Sequence, residues 1–193
     1  MSHGLVVIGT SAGGLEAVST LLKRLPAGLE LALLVVQHRS PESNALCDVL
    51  QDCSALPVHD VMDKEPIQAG NVFLAPADYH VLVEGDHFTL SVDEPVVYSR
   101  PSIDVAFESA ADSWGPLLVG VVMTGANRDG ARGLRRIRDA GGLALVQRPE
   151  TADMAVMPAA AAAAVPEAEL LTLDEIADRL VGLARPHGAR STT

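Results

Sequence analysis

GLVVIGTSAGGLEAVSTL, residues 4–21, decides the fold. Leu5, Val6, Val7 and Ile8 form a run without a polar side chain, the pattern of a parallel strand buried on both faces. Gly9-Thr10-Ser11-Ala12-Gly13-Gly14 follows, and then Leu15, Ala17, Val18, Leu21 and Leu22 take up helical spacing. The stretch reads as strand, tight turn and helix, with a serine in the turn. Gly9, Ser11 and Gly13 spell G-x-S-x-G, the nucleophile-elbow pattern. A hydroxyl that attacks a carbonyl has to stand clear of the backbone. The positions two before and two after it must be small, because the turn brings strand and helix together. The helix then aims its unbonded N–H groups and positive dipole end at the reacting centre. The same glycines also suit a nucleotide phosphate, or simple packing of helix on strand, and this stretch alone leaves all three readings open.

The chain of 193 residues suits one domain with a sizeable core. Hydrophobic residues make up 48% and aromatics only 3%, so that core is expected to be aliphatic. The net charge of -11, with no basic block, argues against nucleic acid as a partner. No run approaches the roughly 18 apolar residues that span a bilayer, so no membrane insertion is expected. The first strand begins almost at the N-terminus and leaves no room for a signal peptide, which points to a cytoplasmic protein. Cys47 and Cys53 fall in one predicted helix on different faces. They read as thiols in a reducing compartment rather than a disulfide or metal pair.

Further buried strands are expected at residues 31–37, 117–123 and 143–146, with shorter ones at 57–61, 72–75 and 169–173. Residues 80–83 and 87–92 flank Glu84-Gly85-Asp86 and read as an antiparallel hairpin. Helices are expected from a turn at Ser40-Pro41-Glu42-Ser43 through 45–53, after an N-cap at Ser102, over 131–139, over 157–164, and from an Asp174 cap to 183. The alternation predicts an α/β fold: a doubly wound, mostly parallel sheet with helices on both faces and a small antiparallel hairpin. Residues 1–184 form the domain and 185–193 a frayed tail.

In such sheets the working groups lie beyond the carboxyl ends of the strands. Ser11 stands after the first strand, His38 after the second, and the Thr124–Asp129 loop after the run at 117–123. Serine, histidine and aspartate are the types that acyl transfer needs: a nucleophile, a base, and an acid that holds the imidazole tautomer. The expectation is one hydrogen-bonded relay of Ser11, His38 and Asp129. Asp78 and Asp104 are weaker candidates for the acid, and His80 is placed to line the same rim. The nucleotide reading weakens at Gln37-His38, where a dinucleotide fold wants an acidic residue for the ribose. Near Gly13-Gly14 there is also no P-loop lysine. A catalytically impaired module that only binds is the other competitor.

These residues resemble the catalytic domain of CheB-type protein-glutamate methylesterases of bacterial chemotaxis. The resemblance runs from about Gly4 to Leu173. It rests on GTSAGG at 9–14, VVQH at 35–38, FLAP at 73–76, RPSID at 100–104, MTG at 123–125, DGARGL at 129–134 and MPAAA at 157–161. It implies hydrolysis of glutamate methyl esters on methyl-accepting chemoreceptor helices with release of methanol, and deamidation of certain glutamines. By motif, the nucleophile falls on Ser11, the base on His38, the acid on Asp129, and the oxyanion hole on the backbone N–H groups of Ala12 and Ala126. No metal or organic cofactor is implied.

The sequence departs from the family pattern in places. Ala12 stands where Thr is usual and Arg39 where Met is usual. Thr124-Gly125-Ala126-Asn127-Arg128-Asp129 replaces T-G-M-G-x-D, and the usual N-terminal phospho-receiver is missing. A backbone hole survives Ala12 with a loss on the order of 1 kcal/mol. Asn127 is the best replacement for a glycine that needs positive φ. Arg39, Arg128, Asn127 and Arg100 are expected to contact substrate, the arginines Arg39 and Arg128 by attracting an acidic flank. Without a receiver, gating is expected to come from a regulator in trans, if there is any gating.

Overall fold

The structure, a computed structural model, describes residues 4–38 and 45–184. In chain order the elements are β1 (Leu5–Thr10), α1 (Gly14–Leu22), β2 (Ala32–Gln37), α2 (Leu46–Gln51), β3 (Val58–Asp60), β4 (Val72–Leu74), β5 (His80–Glu84) and β6 (His87–Ser91). There follow α3 (Ile103–Trp114), β7 (Leu118–Val122), α4 (Ala131–Asp139), β8 (Leu143–Gln147), α5 (Val156–Ala164), β9 (Glu169–Leu171) and α6 (Leu173–Ala184). Seven parallel strands form one sheet in the order β3-β4-β2-β1-β7-β8-β9, and β5 and β6 form the separate antiparallel hairpin. This is the doubly wound sheet that the sequence predicts.

β1 lies at the centre because both of its faces are covered. Val6 and Ile8 pack with Val18, Leu21 and Leu22 of α1 and Ile176 and Leu180 of α6. Leu5 and Val7 pack on the other side with Ile103 and Phe107 of α3 and Leu134 of α4. The strict alternation follows from the two-residue period of a strand. From β1 the chain moves to β2, crosses to the outer edge at β3 and comes back to place β4 between them, then returns to lay β7, β8 and β9 on the opposite side. That reversal opens a crevice at the carboxyl ends of β2, β1 and β7, where a ligand has access to loops from both halves.

Some boundaries differ from expectation. α2 ends at Gln51, so Cys53 lies beyond it, while the Cys47 thiol donates to the Val58 carbonyl at 3.2 Å. The predicted turn at 40–43 and the tail 185–193 lie outside the described residues. α6 is capped by Thr172 rather than Asp174. The Glu175 N–H donates to Thr172 Oγ1 at 3.3 Å, and the Thr172 N–H donates to Glu175 Oε2 at 2.8 Å. Thr-x-x-Glu satisfies two donors reciprocally, which a lone Asp174 would not.

Candidate active site

The turn after β1 is tight because its glycines leave no space for side chains. Gly13 has φ +77°, and a Cβ there would lie 2.6 Å from Asp153 Oδ2. At Gly14 it would lie 2.7 Å from Thr10 Oγ1. Gly13→Ala therefore combines a left-handed backbone with a collision, and is expected to lower stability by about 2 kcal/mol. A fall in thermal midpoint checks this; an unchanged midpoint would show that the turn has another conformation open to it.

Thr124, at the end of β7, fastens the turn. Its carbonyl accepts from the Ser11 N–H at 3.0 Å and from Thr10 Oγ1 at 2.8 Å. Its hydroxyl donates to the Ala12 carbonyl at 2.9 Å and accepts from the Met154 N–H at 2.9 Å. Its own N–H donates to Gln147 Oε1 at 2.9 Å. Sequence reasoning passed over Thr10 and Gln147. The available signal was a polar residue ending each apolar strand run: Thr10, Thr124 and Gln147 are all buried. The N–H groups of Ala12 and Ala126 donate to no acceptor among the described residues, and both residues are exposed. They remain available to a ligand oxygen.

β1 and β2 pair in register up to Thr10 and Gln37, and the His38 N–H donates to the Thr10 carbonyl at 3.2 Å. Ser11 and His38 thus leave the sheet side by side. His38 Nε2 lies 2.8 Å from Asp129 Oδ2. Asp129 is fully buried and accepts three more bonds: from the Ile103 N–H at 2.7 Å, the Asp104 N–H at 3.0 Å and the Ser102 hydroxyl at 3.0 Å. These donors come from the N-terminal end of α3, where the helix dipole favours an anion. Burial pushes the Asp129 carboxyl up, but the bonds from His38, Asp104 and Ile103 outweigh it and hold the group below its ordinary value.

Asn127 fixes the tautomer of His38. Its Oδ1 accepts from the Asp129 N–H at 3.0 Å, so its Nδ2 is the atom 3.3 Å from His38 Nδ1. An amide nitrogen can only donate, so Nδ1 carries the lone pair and Nε2–H donates to Asp129. Ser99 Oγ also lies 3.4 Å from Nδ1. No hydrogen bond joins the Ser11 hydroxyl to the ring among the described residues. The expected three-membered relay is closed between imidazole and carboxylate and open at the hydroxyl, and Asn127 and Ser99 are the groups at the base nitrogen. Catalytic hydrogen bonds commonly tighten only when substrate is bound.

The other expected residues fall as follows. Asn127 is not among the positive-φ residues, so its place in the loop is explained by its side chain and not by a left-handed backbone. Arg100 lines a hollow of about 300 Å³ together with His38, Asp78 and Ser99. Its Nη1 is tied to the Val92 and Asp93 carbonyls at 2.9 and 3.1 Å. Arg128 lines a separate hollow beside Asp104 and Arg132, and Arg39 lies outside the described residues. His80 is buried rather than on the rim: its Nδ1 accepts from the Ser102 N–H at 3.1 Å and its Nε2 donates to the Glu94 carbonyl at 3.1 Å. Asp104 does not touch His38. Its Oδ1 accepts from the N–H groups of Gly130 at 3.0 Å and Gly133 at 2.7 Å at the start of α4. Burial raises its carboxyl above the ordinary value against the opposing Gly133 bond, with the neighbouring Asp129 charge adding to the rise. Among the described residues no group of three or more His, Cys, Asp or Glu side chains is placed to hold a metal ion. No helix there is long and apolar enough to cross a membrane.

A doubly wound sheet that gathers a serine turn, an imidazole–carboxylate pair and unspent N–H donors at one switch point has the equipment of a hydrolase. Comparison with known proteins narrows that class. The CheB methylesterase family model matches residues 6–180, and the chain belongs to that family. It is 41% identical over 185 residues to a Leptospira interrogans protein provisionally named protein-glutamate methylesterase/protein-glutamine glutaminase, covering 95% of this chain and 96% of that one. A Pseudomonas fluorescens protein-glutamate methylesterase/protein-glutamine glutaminase is 42% identical over 93% of this chain, which spans 54% of that longer protein. The crystal structure of the Thermotoga maritima CheB methylesterase catalytic domain superposes with a TM-score of 0.90 at 27% identity, over 95% of this chain and all of that one.

Proposed function

We propose that this protein hydrolyses glutamate methyl esters on a chemoreceptor-like helical protein, releasing methanol, and deamidates glutamines at equivalent positions. The observation that carries the reading is the hydrogen-bonded Asp129–His38 pair at the strand ends beside Ser11, with His38 lining the hollow. Ser11 Oγ attacks the ester carbonyl and His38 Nδ1 takes its proton. Asp129 stabilises the imidazolium through Nε2–H. The N–H groups of Ala12 and Ala126 receive the oxyanion. His38 then returns the proton to the departing methoxide, and methanol leaves. Water, deprotonated by the same nitrogen, attacks the acyl-serine and regenerates the hydroxyl. For this sequence of steps Asn127 must yield Nδ1 when substrate enters. Arg100 lies at the hollow and is a candidate to orient the substrate backbone. Arg39 and Arg128 are candidates for drawing in an acidic flank.

Methanol release from methylated receptor fragments by the wild type, Ser11→Ala, His38→Ala and Asp129→Asn tests the assignment. Labelling with a fluorophosphonate probe should accompany it and vanish in Ser11→Ala. Equal release by all four proteins would falsify the roles given to these residues. Labelling without any methanol release would leave a serine hydrolase with a different ester or amide as substrate.

A further inference from the structure

Val96 and Ser99 close a two-residue turn: the Val96 N–H donates to the Ser99 carbonyl at 3.1 Å, and the Ser99 N–H to the Val96 carbonyl at 2.9 Å. The two central residues, Val97 and Tyr98, have φ of 50° and 62°. Such a turn wants Asn-Gly, because both positions are left-handed. A β-branched valine and a tyrosine are among the poorest occupants. Tyr98 is fully exposed, so its own packing within the described residues does not repay the strain, while Val97 is half-buried beside Asp104 and Arg128. Strain kept at an exposed turn is a pointer to function when the turn adjoins a site. This one does: Tyr98, Ser99 and Arg100 line the same hollow as His38, and Ser99 Oγ touches the base nitrogen.

We propose that the Val97–Tyr98 turn is the substrate-recognition element of this site, with Tyr98 packing on the helix that carries the reacting side chain. The proposal rests on the hydrolase reading above and adds what the site grips. The floor of the hollow is polar, from His38, Asp78, Ser99 and Arg100, and it suits the ester or amide end of a long side chain. Exposed apolar side chains neighbour its lining, alongside the exposed Asp93 and Glu94. Tyr79 follows Asp78 and is 41% exposed, and Val92, whose carbonyl Arg100 holds, is 67% exposed. A neutral glutamate ester or glutamine can reach down from a helix whose aliphatic neighbours rest on Tyr79, Val92 and Tyr98. A tyrosine offers large contact area at small rotamer cost, with a hydroxyl for the partner's backbone.

The test replaces the turn with its preferred residues, Val97→Asn with Tyr98→Gly, and compares Tyr98→Phe. Binding of a methylated receptor fragment is measured by fluorescence anisotropy in a Ser11→Ala background, so that the result does not depend on turnover. The Asn-Gly turn should raise the thermal midpoint and weaken binding about tenfold, while Tyr98→Phe should bind within about threefold of the parent. With active protein, the loss should fall in KM rather than in kcat. Unchanged binding by the Asn-Gly turn overturns the proposal, as does a fall in thermal midpoint large enough to show that the native turn is unstrained. Failure of the hydrolase reading has a different signature: no fluorophosphonate labelling of the wild type, whatever the binding.

Discussion

Asp129→Asn should lower kcat at least about 100-fold, and up to roughly 10⁴-fold, while also destabilising the fold. Both effects come from the same four bonds. The carboxylate oxygens accept from His38 Nε2 and Ile103 N–H on one side, and from the Ser102 hydroxyl and Asp104 N–H on the other. An amide must point its NH₂ at one of these sides. Toward Ile103 it meets a buried N–H and forces His38 to present a lone pair at Nε2, which moves the proton to Nδ1 and removes the base. Toward Asp104 it meets another buried N–H, and the imidazolium loses its counter-charge. Each outcome leaves a buried donor unpaired, at about 1–3 kcal/mol.

The pH dependence of this difference has a definite sign. The Asp129 carboxyl is held below its ordinary value in the folded chain, chiefly because the His38, Asp104 and Ile103 bonds overcome the upward push of burial. Its contribution to stability is therefore complete above the ordinary carboxylate range, at about pH 4, and is lost as the pH falls through the lower folded value. Asp104, raised by burial, acts in the opposite sense: its charged form costs stability as pH rises through its elevated folded value. The gap between wild type and Asp129→Asn cancels the burial part of the Asp104 contribution, its largest cause, and keeps the smaller part that the Asp129 charge adds. Thermal midpoints between pH 3 and 7 should show that gap narrowing as acid is added. A constant gap would mean that the charge on Asp129 contributes nothing to the fold.

Period and punctuation carried most of the architecture. Apolar runs such as residues 5–8 and 118–122 are buried on both faces and have few other uses, so strand positions and the parallel sheet could be read directly. The positions of Ser11, His38 and the loop bearing Asp129 beyond the strand ends were legible because each follows such a run. The supporting polar groups were not. Ser102 could be named as the cap of α3, but its hydroxyl donates to Asp129 across 27 positions, and no local pattern encodes that partner. Asn127 was read from backbone preference, whereas its amide does its work on an imidazole 89 positions away. The α6 cap was misplaced for a different reason: Asp174 is a good cap residue by type, but Thr172 has Glu175 at the right distance to reciprocate.

His80→Ala should lower stability by about 3 kcal/mol, roughly 10 °C in thermal midpoint, and reduce kcat about tenfold or more in the protein that remains folded. The buried imidazole bridges two ends of the segment that walls the hollow: Nε2–H holds the Glu94 carbonyl, and Nδ1 accepts the Ser102 N–H. Truncation leaves the fully buried Ser102 without a partner for its N–H and opens a cavity beneath the segment. Ser102 is also the residue whose hydroxyl steadies Asp129, so displacement there reaches His38 through a single intervening side chain. His80→Gln separates position from bulk. Its amide can accept from Ser102 and donate to Glu94, and it should recover more of kcat than His80→Leu, which fills the space but does neither. Equal kcat for the glutamine and leucine variants, measured at a temperature where both are folded, would show that the bridge supports only the fold, and that Asp129 keeps its geometry through the other α3 donors alone.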